Sequence, residues 1–262
     1  MKKKALLGLI IAWLSYIPLG FWIVETPTFG AIYESLNLSQ SILRYYITEN
    51  AFDMAFMGLL TIGLFILLIN RFKYTKEAHF RITNITKIVV LSTVLIAILG
   101  MVVQVFFVGT THPIHAYLGE YIKQLLWVGM VEELIFRGYI FIELLKLKTD
   151  KFKLIYVVLL SALMFSIIHL PAYFLYNSHY DFLSIIWRLL FPFMIGVLYA
   201  YLLYMNKDII SLIFIHATSN MISYFTGTIG LVWVILFWVG LIYYTYHSYV
   251  VYKRHSIHKK VE

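Results

Sequence analysis

The chain has 262 residues, of which 61% are hydrophobic and only 13% are charged. An ordinary soluble domain is about 45–50% apolar and about 25% charged, so this composition excludes a soluble globular protein. The absence of cysteine excludes a thiol nucleophile, a Cys-ligated metal and a disulfide framework. The formal charge of +8 comes mostly from Lys and Arg in the connections between apolar runs, so we predict no nucleic-acid partner.

Eight apolar runs follow one another along the chain. At about 20 residues, such a run is long enough to cross the hydrocarbon core of a bilayer. The runs predict an all-α, polytopic protein of the cell membrane with about eight transmembrane helices. The first run, which follows Lys2–Lys4, has no cleavage-site pattern and is expected to stay in the mature protein. The predicted runs are 5–24, 51–69, 88–108, 121–144, 153–176, 183–204, 208–226 and 229–248.

The connections between the runs differ in charge. Most Lys and Arg residues lie in alternate connections, and cytoplasmic loops are the ones enriched in these residues. We therefore predict a multi-pass protein with both termini cytoplasmic. The largest connection, 25–50, is expected to contain a short interfacial helix that begins near residues 39–41.

Three of the runs contain polar side chains far from their ends. An ionisable residue at the centre of a membrane helix costs about 2.5–3.5 kcal/mol, so it normally faces a partner or a wet cavity. These residues are therefore the candidates for a functional site. They are Glu132, Glu133 and Arg137 in the fourth run, His169 in the fifth, and His216 and Asn220 in the seventh.

Helical spacing separates their expected roles. Glu133 and Arg137 are four residues apart, which predicts one helix face and an ion pair. Glu132 is rotated from Glu133 by about 100° and is expected to face a cavity. His216 and Asn220, also four apart, share a face of their helix. A packing role stays open, above all for Glu133 and Arg137.

A carboxylate, two imidazoles and an amide are enough to activate a water molecule and stabilise an oxyanion. Other designs for hydrolysing a peptide bond are missing from the sequence. There is no H-E-x-x-H motif and no G-x-S-x-G motif. The four aspartates all lie near predicted helix ends, which makes a two-aspartate site improbable.

Three motifs in order, E-E-x-x-x-R, F-x-x-x-H and H-x-x-x-N, resemble the CAAX protease and bacteriocin-processing family, also called the Abi or type II CAAX prenyl endopeptidase family. The segment 196–199 adds a similar glycine and aromatic pattern. The resemblance covers about residues 120–226. It divides the chain into N-terminal transmembrane helices (1–119, about three), a protease-like core (120–226), and a last helix with a basic cytoplasmic tail (227–262). The residues that carry the motifs are Glu132, Glu133, Arg137, Phe165, His169, His216 and Asn220.

The resemblance implies an intramembrane endopeptidase with its site inside the helix bundle and a membrane-associated peptide or protein as substrate. Glu132 and His169 would position and deprotonate the attacking water, and His216 and Asn220 would stabilise the oxyanion. The supporting or substrate-contacting residues would be Glu133, Arg137 and Phe165.

The sequence does not decide whether the site uses a metal ion. If a metal such as zinc is used, its ligands would be Glu132, His169 and His216, since two His and one Glu can form a zinc site with an open position. The same residues also suit a metal-free activated water, which is the mechanism we favour.

Two other functions compete with proteolysis. The first is a non-catalytic membrane immunity or scaffold protein of the same fold, for example in self-immunity to bacteriocins. The second is a small transporter, because buried Glu and His also form proton relays. No inverted repeat is detectable in the sequence, which argues against the transporter.

Overall fold

The computed structural model describes residues 80–108, 114–149, 152–170 and 182–258. Every regular element within these ranges is a helix, and none is a strand. The predicted all-α class is therefore confirmed for the described part of the chain. The predicted runs 5–24 and 51–69 and the predicted interfacial helix in 25–50 lie outside it. The count of eight helices and the orientation of the termini stay predictions.

The described residues form eight α-helical segments and three π-helical ones. The segment from Ile114 to Lys146 alternates between the two types and is called the mixed helix below. The α-helical segments are α1 (Asn84–Val103), α2 (Ile114–Lys123), α3 (Met130–Glu133), α4 (Ile142–Lys146), α5 (Leu154–Ile167), α6 (Phe182–Asn206), α7 (Ile209–Ile222) and α8 (Gly227–His258). The π-helical segments are Gln104–Val108, Gln124–Gly129 and Leu134–Phe141.

Three of the described helices are long and apolar enough to cross a membrane, at Asn84–Val108, Phe182–Asn206 and Gly230–Arg254. In the most apolar 18-residue stretch of each helix, only 28%, 17% and 17%, respectively, is buried inside the protein. Long apolar helices with so little burial would expose a large hydrophobic surface to water, which soluble monomers rarely do. Their outward faces therefore suit contact with lipid.

The predicted run 153–176 is wrong as one uninterrupted helix. The helix α5 ends at Ile167, and Ile168 and His169 form a turn. The turn is short, because Leu170 is again helical. His169 thus lies in a turn just beyond a 14-residue helix rather than within a spanning helix.

The chain divides into two compact units. The first contains the described residues of Leu134–Tyr201, and the second those of His79–Glu133 and Leu202–Glu262. In the first unit, α6 packs closely on α5 at Gly196. A Cβ at Gly196 would lie 3.0 Å from both Cα and Cβ of Ala162, so a larger residue would push the two helices apart.

In the second unit, α7 is tied to α1 at both ends. Asp208 caps the start of α7, where its Oδ1 accepts from the Ser211 N–H (3.0 Å) and its Oδ2 accepts from the Thr86 hydroxyl (2.7 Å). Just beyond its end, Gln104 donates to the Thr226 hydroxyl (2.9 Å) and accepts from the Thr226 N–H (3.1 Å). These bonds fix the position of α7 along its axis, and with it the positions of His216 and Asn220.

Candidate active site

Two glutamates of the mixed helix meet a histidine of α7 in the second unit. His216 Nδ1 lies 2.8 Å from Glu133 Oε1, and His216 Nε2 lies 3.7 Å from Glu132 Oε2. Glu133 is fully buried, and Glu132 and His216 are 7% and 6% exposed. We call these three residues the acid cluster. One imidazole therefore has a carboxylate near each of its ring nitrogens, in an apolar surrounding that strengthens electrostatic interactions.

A glycine allows the acid cluster to form. A Cβ at Gly129 would lie 2.9 Å from the Gln124 carbonyl oxygen and 3.1 Å from the Ile213 carbonyl oxygen. Only a residue without a side chain permits such close contact between the backbones of the mixed helix and α7. Gly129 lies one turn before the two glutamates, and Ile213 one turn before His216, so their contact brings the acid cluster together.

Asn220 is held by a second set of polar residues in the same unit. Its Nδ2 donates to Gln124 Oε1 (2.8 Å), and Gln124 Nε2 donates to Glu120 Oε1 (2.7 Å). Glu120 Oε1 also accepts from the Tyr224 hydroxyl at 3.0 Å. We call Glu120, Gln124 and Asn220 the amide chain. Its three members lie on two helices and are linked by side-chain hydrogen bonds throughout.

The arginine of the first motif lies among aromatic rings in the first unit. The Arg137 side chain is 1% exposed, and its Cζ lies 4.1 Å from the centre of the Phe165 ring and 5.4 Å from that of Tyr199. Guanidinium groups are attracted to the faces of aromatic rings at such distances. We call Arg137, Phe165, His169 and Tyr199 the aromatic cluster.

His169 is fixed by Phe165, one turn earlier. Its Nδ1 lies 2.8 Å from the Phe165 carbonyl oxygen, and its ring meets the edge of the Phe165 ring at 4.9 Å between centres. A carbonyl oxygen can only accept, so Nδ1 carries the proton of this bond. In the neutral ring, Nε2 then holds the lone pair, which is the arrangement that a proton acceptor needs.

The sequence-predicted residues are thus found in two groups. The structure brings Glu132 and Glu133 together with His216, and it places His216 and Asn220 on one helix as predicted. It also explains the F-x-x-x-H motif, because Phe165 holds His169 through both its carbonyl and its ring. The ion pair between Glu133 and Arg137 stays a prediction. Its spacing argument assumed 3.6 residues per turn, whereas Leu134–Phe141 is a π-helix with i→i+5 hydrogen bonds.

Neither the contact of Glu133 with His216 nor the amide chain beyond Asn220 was predicted from the sequence. A signal for Glu120 and Gln124 did exist, since both are polar and lie four residues apart next to the fourth apolar run. They lay at the edge of that run, where polar residues are expected on any membrane helix. The contact with His216 had no signal, because the two residues are 83 positions apart.

The described residues offer no group of three His, Asp or Glu side chains that could hold a metal ion.

Comparison with known proteins identifies one family. Residues 114–222 match the family model described as type II CAAX prenyl endopeptidase Rce1-like. The match contains all three motifs and confirms the predicted family resemblance for this stretch, which is somewhat less than half of the chain. No curated protein and no solved structure matches the chain.

Proposed function

We propose, from the Rce1-like match at residues 114–222, that this protein is an intramembrane endopeptidase that uses a Glu/His-activated water. The observation that carries the proposal is the acid cluster, in which His216 lies between the buried carboxylates of Glu132 and Glu133. Buried ionisable groups are costly in a membrane protein, and two carboxylates around one imidazole need a reason beyond packing. Apolar helices long enough to cross a membrane supply the setting.

The first proposed step is attack of water on the carbonyl carbon of the substrate peptide bond. Glu132 accepts one proton of that water, and the role that the motif resemblance implies for His169 is to orient the water through its Nε2 lone pair. The C–O bond forms as the carbonyl becomes a tetrahedral oxyanion. A hydrogen-bond acceptor at Nε2 is what this role requires, and the bond from Nδ1 to the Phe165 carbonyl favours it.

The second proposed step is collapse of the oxyanion. His216 and Asn220 donate to the oxyanion from Nε2 and Nδ2 while it exists. His216 can donate from Nε2 only when Nε2 carries a proton. This proton is separate from the one in the hydrogen bond between His216 Nδ1 and Glu133. The C–N bond then breaks, the amine takes the proton held by Glu132, and the products are a new carboxyl terminus and a new amino terminus.

The substrate class in this proposal is a membrane-associated peptide or protein. The name of the matching family refers to CAAX prenyl substrates, so a farnesylated CAAX peptide is one probe to use. An apolar peptide without a prenyl group is the second, because processing of peptides such as bacteriocins is the other activity connected with the family that the motifs resemble.

The decisive experiment replaces one buried carboxylate. Cells carrying wild-type protein, Glu132→Gln or the control Glu143→Gln at matched abundance are compared by mass spectrometry of membrane and secreted peptides. Glu143 is a suitable control, because it is also a buried carboxylate of the mixed helix and bonds to Lys146 at 2.9 Å. We expect new peptide termini with wild type and Glu143→Gln, and none with Glu132→Gln.

The peptides found in this way, and both probes, are then tested with purified protein. Cleavage that persists in Glu132→Gln would overturn the proposal. So would identical peptide profiles in all three strains, and a phenotype that Glu132→Gln still supports would instead indicate the immunity or scaffold function.

A further inference from the structure

The amide chain leads away from the residues of the three motifs. Asn220 is the only motif residue in it, and neither Glu120 nor Gln124 has a role in the steps above. Gln124 is nevertheless 7% exposed and uses both ends of its amide, Oε1 toward Asn220 and Nε2 toward Glu120. A buried amide with both ends bonded between two helices has a fixed orientation.

The order of donors and acceptors in the amide chain is fixed by hydrogen-bond chemistry. An ionised carboxylate has no donor, so Gln124 must turn its NH₂ group toward Glu120. Its Oε1 then faces Asn220, and Asn220 must present its NH₂ group in return. Glu120 itself is held at Oε1 by the Tyr224 hydroxyl, and Lys123 Nζ lies 3.8 Å from Oε2.

The orientation of the Asn220 amide decides whether Asn220 can donate to an oxyanion. The Nδ2 of Asn220 has two hydrogens, of which one is used by Gln124 and the other is left to donate elsewhere. Without the amide chain, the Asn220 side chain could turn its own oxygen toward the substrate. An amide oxygen next to an oxyanion repels it, so an unoriented Asn220 would be a poor donor.

We infer that Gln124, oriented by Glu120, is a positioning residue that holds Asn220 with its NH₂ group toward the oxyanion. The inference rests on the proposed function, since it assigns the device that orients one of its two oxyanion donors. Gln124 acts through Asn220 and does not touch the substrate. Its effect is therefore on turnover and not on substrate binding.

The main test is a double-mutant cycle with purified, membrane-reconstituted protein and a peptide that appears with the wild-type protein in the mass-spectrometry comparison or is one of the two probes. We expect Gln124→Met to lower kcat about 10- to 100-fold, the usual effect of losing a residue that orients a reactive group, with KM unchanged. In an Asn220→Ala background, Gln124→Met should lower kcat no further. An equal loss in both backgrounds, or a change in KM alone, would show a general packing role and overturn the inference.

A swap of the two side chains tests direction separately from folding. Gln124→Glu alone sets two carboxylates against each other; their repulsion moves residue 124 from its place beside Asn220 and should lower kcat. In the double variant Glu120→Gln/Gln124→Glu, residue 124 accepts from both neighbours, and the Asn220 NH₂ group keeps its orientation. We expect the double variant to recover most of the kcat that Gln124→Glu loses. A double variant as slow as Gln124→Glu, at wild-type thermal stability, would contradict the inference.

Glu132→Gln in the same assay separates the two proposals. If Glu132→Gln is inactive while Gln124→Met turns over like wild type, the amide chain has no role in catalysis and the endopeptidase proposal stands. If Glu132→Gln is active, or if wild-type protein cleaves no peptide, the endopeptidase proposal fails and the inference fails with it.

Discussion

The acid cluster and the aromatic cluster hold buried charge in different ways. In the acid cluster, His216 is within hydrogen-bond distance of one carboxylate and 3.7 Å from a second. In the aromatic cluster, the Arg137 guanidinium lies against the faces of two rings, and His169 is fixed by a backbone carbonyl. Hydrogen bonds are directional and set which atom carries a proton, whereas ring faces hold a cation without taking a proton from it.

This difference suggests a division of labour between the two clusters. The acid cluster contains groups that exchange protons, and the aromatic cluster contains one permanent cation and one histidine of fixed tautomer. The acid cluster should therefore respond sharply to isosteric changes that alter protonation. The aromatic cluster should respond to loss of volume and of ring faces.

The largest expected effect on stability is in the aromatic cluster. Arg137→Ala removes a buried side chain that lies against two aromatic rings. It also leaves any buried partner of Arg137 without the opposite charge. We expect it to lower the free energy of unfolding by about 3–5 kcal/mol. Unfolding of the purified protein in mixed detergent micelles measures this. The control Lys146→Ala removes a cation that is 45% exposed and should cost less than about 1 kcal/mol. Equal stability of Arg137→Ala and wild type would contradict the packing of Arg137.

An intermediate effect is expected where two backbones meet beside the acid cluster. Gly129→Ala places a Cβ 3.1 Å from the Ile213 carbonyl oxygen of α7 and 2.9 Å from the Gln124 carbonyl oxygen of its own helix, so the two helices must shift against each other. We expect a loss of about 1–3 kcal/mol in the same measurement. Gly240→Ala is the matched control, because nothing lies within 4 Å of its Cβ position. Alanine there should gain up to about 1 kcal/mol from helix propensity. If the free energy of unfolding changed in the same direction in both variants, the close contact between the mixed helix and α7 at Gly129 would be contradicted.

The smallest expected effect distinguishes the two rings around Arg137. Phe165 is closer to the guanidinium than Tyr199 is, at 4.1 Å against 5.4 Å. Double-mutant cycles that combine Arg137→Met with Phe165→Leu or Tyr199→Leu measure each coupling. We expect about 0.5–2 kcal/mol for Phe165 and a smaller value for Tyr199. The reverse order would show that the guanidinium depends mainly on Tyr199.

The features that were predicted correctly from the sequence are those that a short stretch of residues determines. Hydropathy predicted the helices, and the rule that polar residues in an apolar run are buried for a reason identified Glu132, Glu133, Arg137 and His216, all of which are buried. The prediction of one helix over 153–176 was wrong, because the chain turns at Ile168 and His169 within a run of continuous apolar composition.

The sequence by itself determined the all-α class, the membrane character of the long helices, and the order of the three motifs. Composition and 3.6-residue periodicity are properties of short stretches, and both survive in the structure wherever the helix is regular. Only the tertiary structure decided that Glu133 meets His216, that Asn220 donates to Gln124, and that Arg137 lies against the rings of Phe165 and Tyr199. Periodicity shows which face a residue occupies, but its partner depends on how far helices approach. That approach is set by residues such as Gly129 and Gly196 and by π-helical turns, which change the period that a sequence argument assumes.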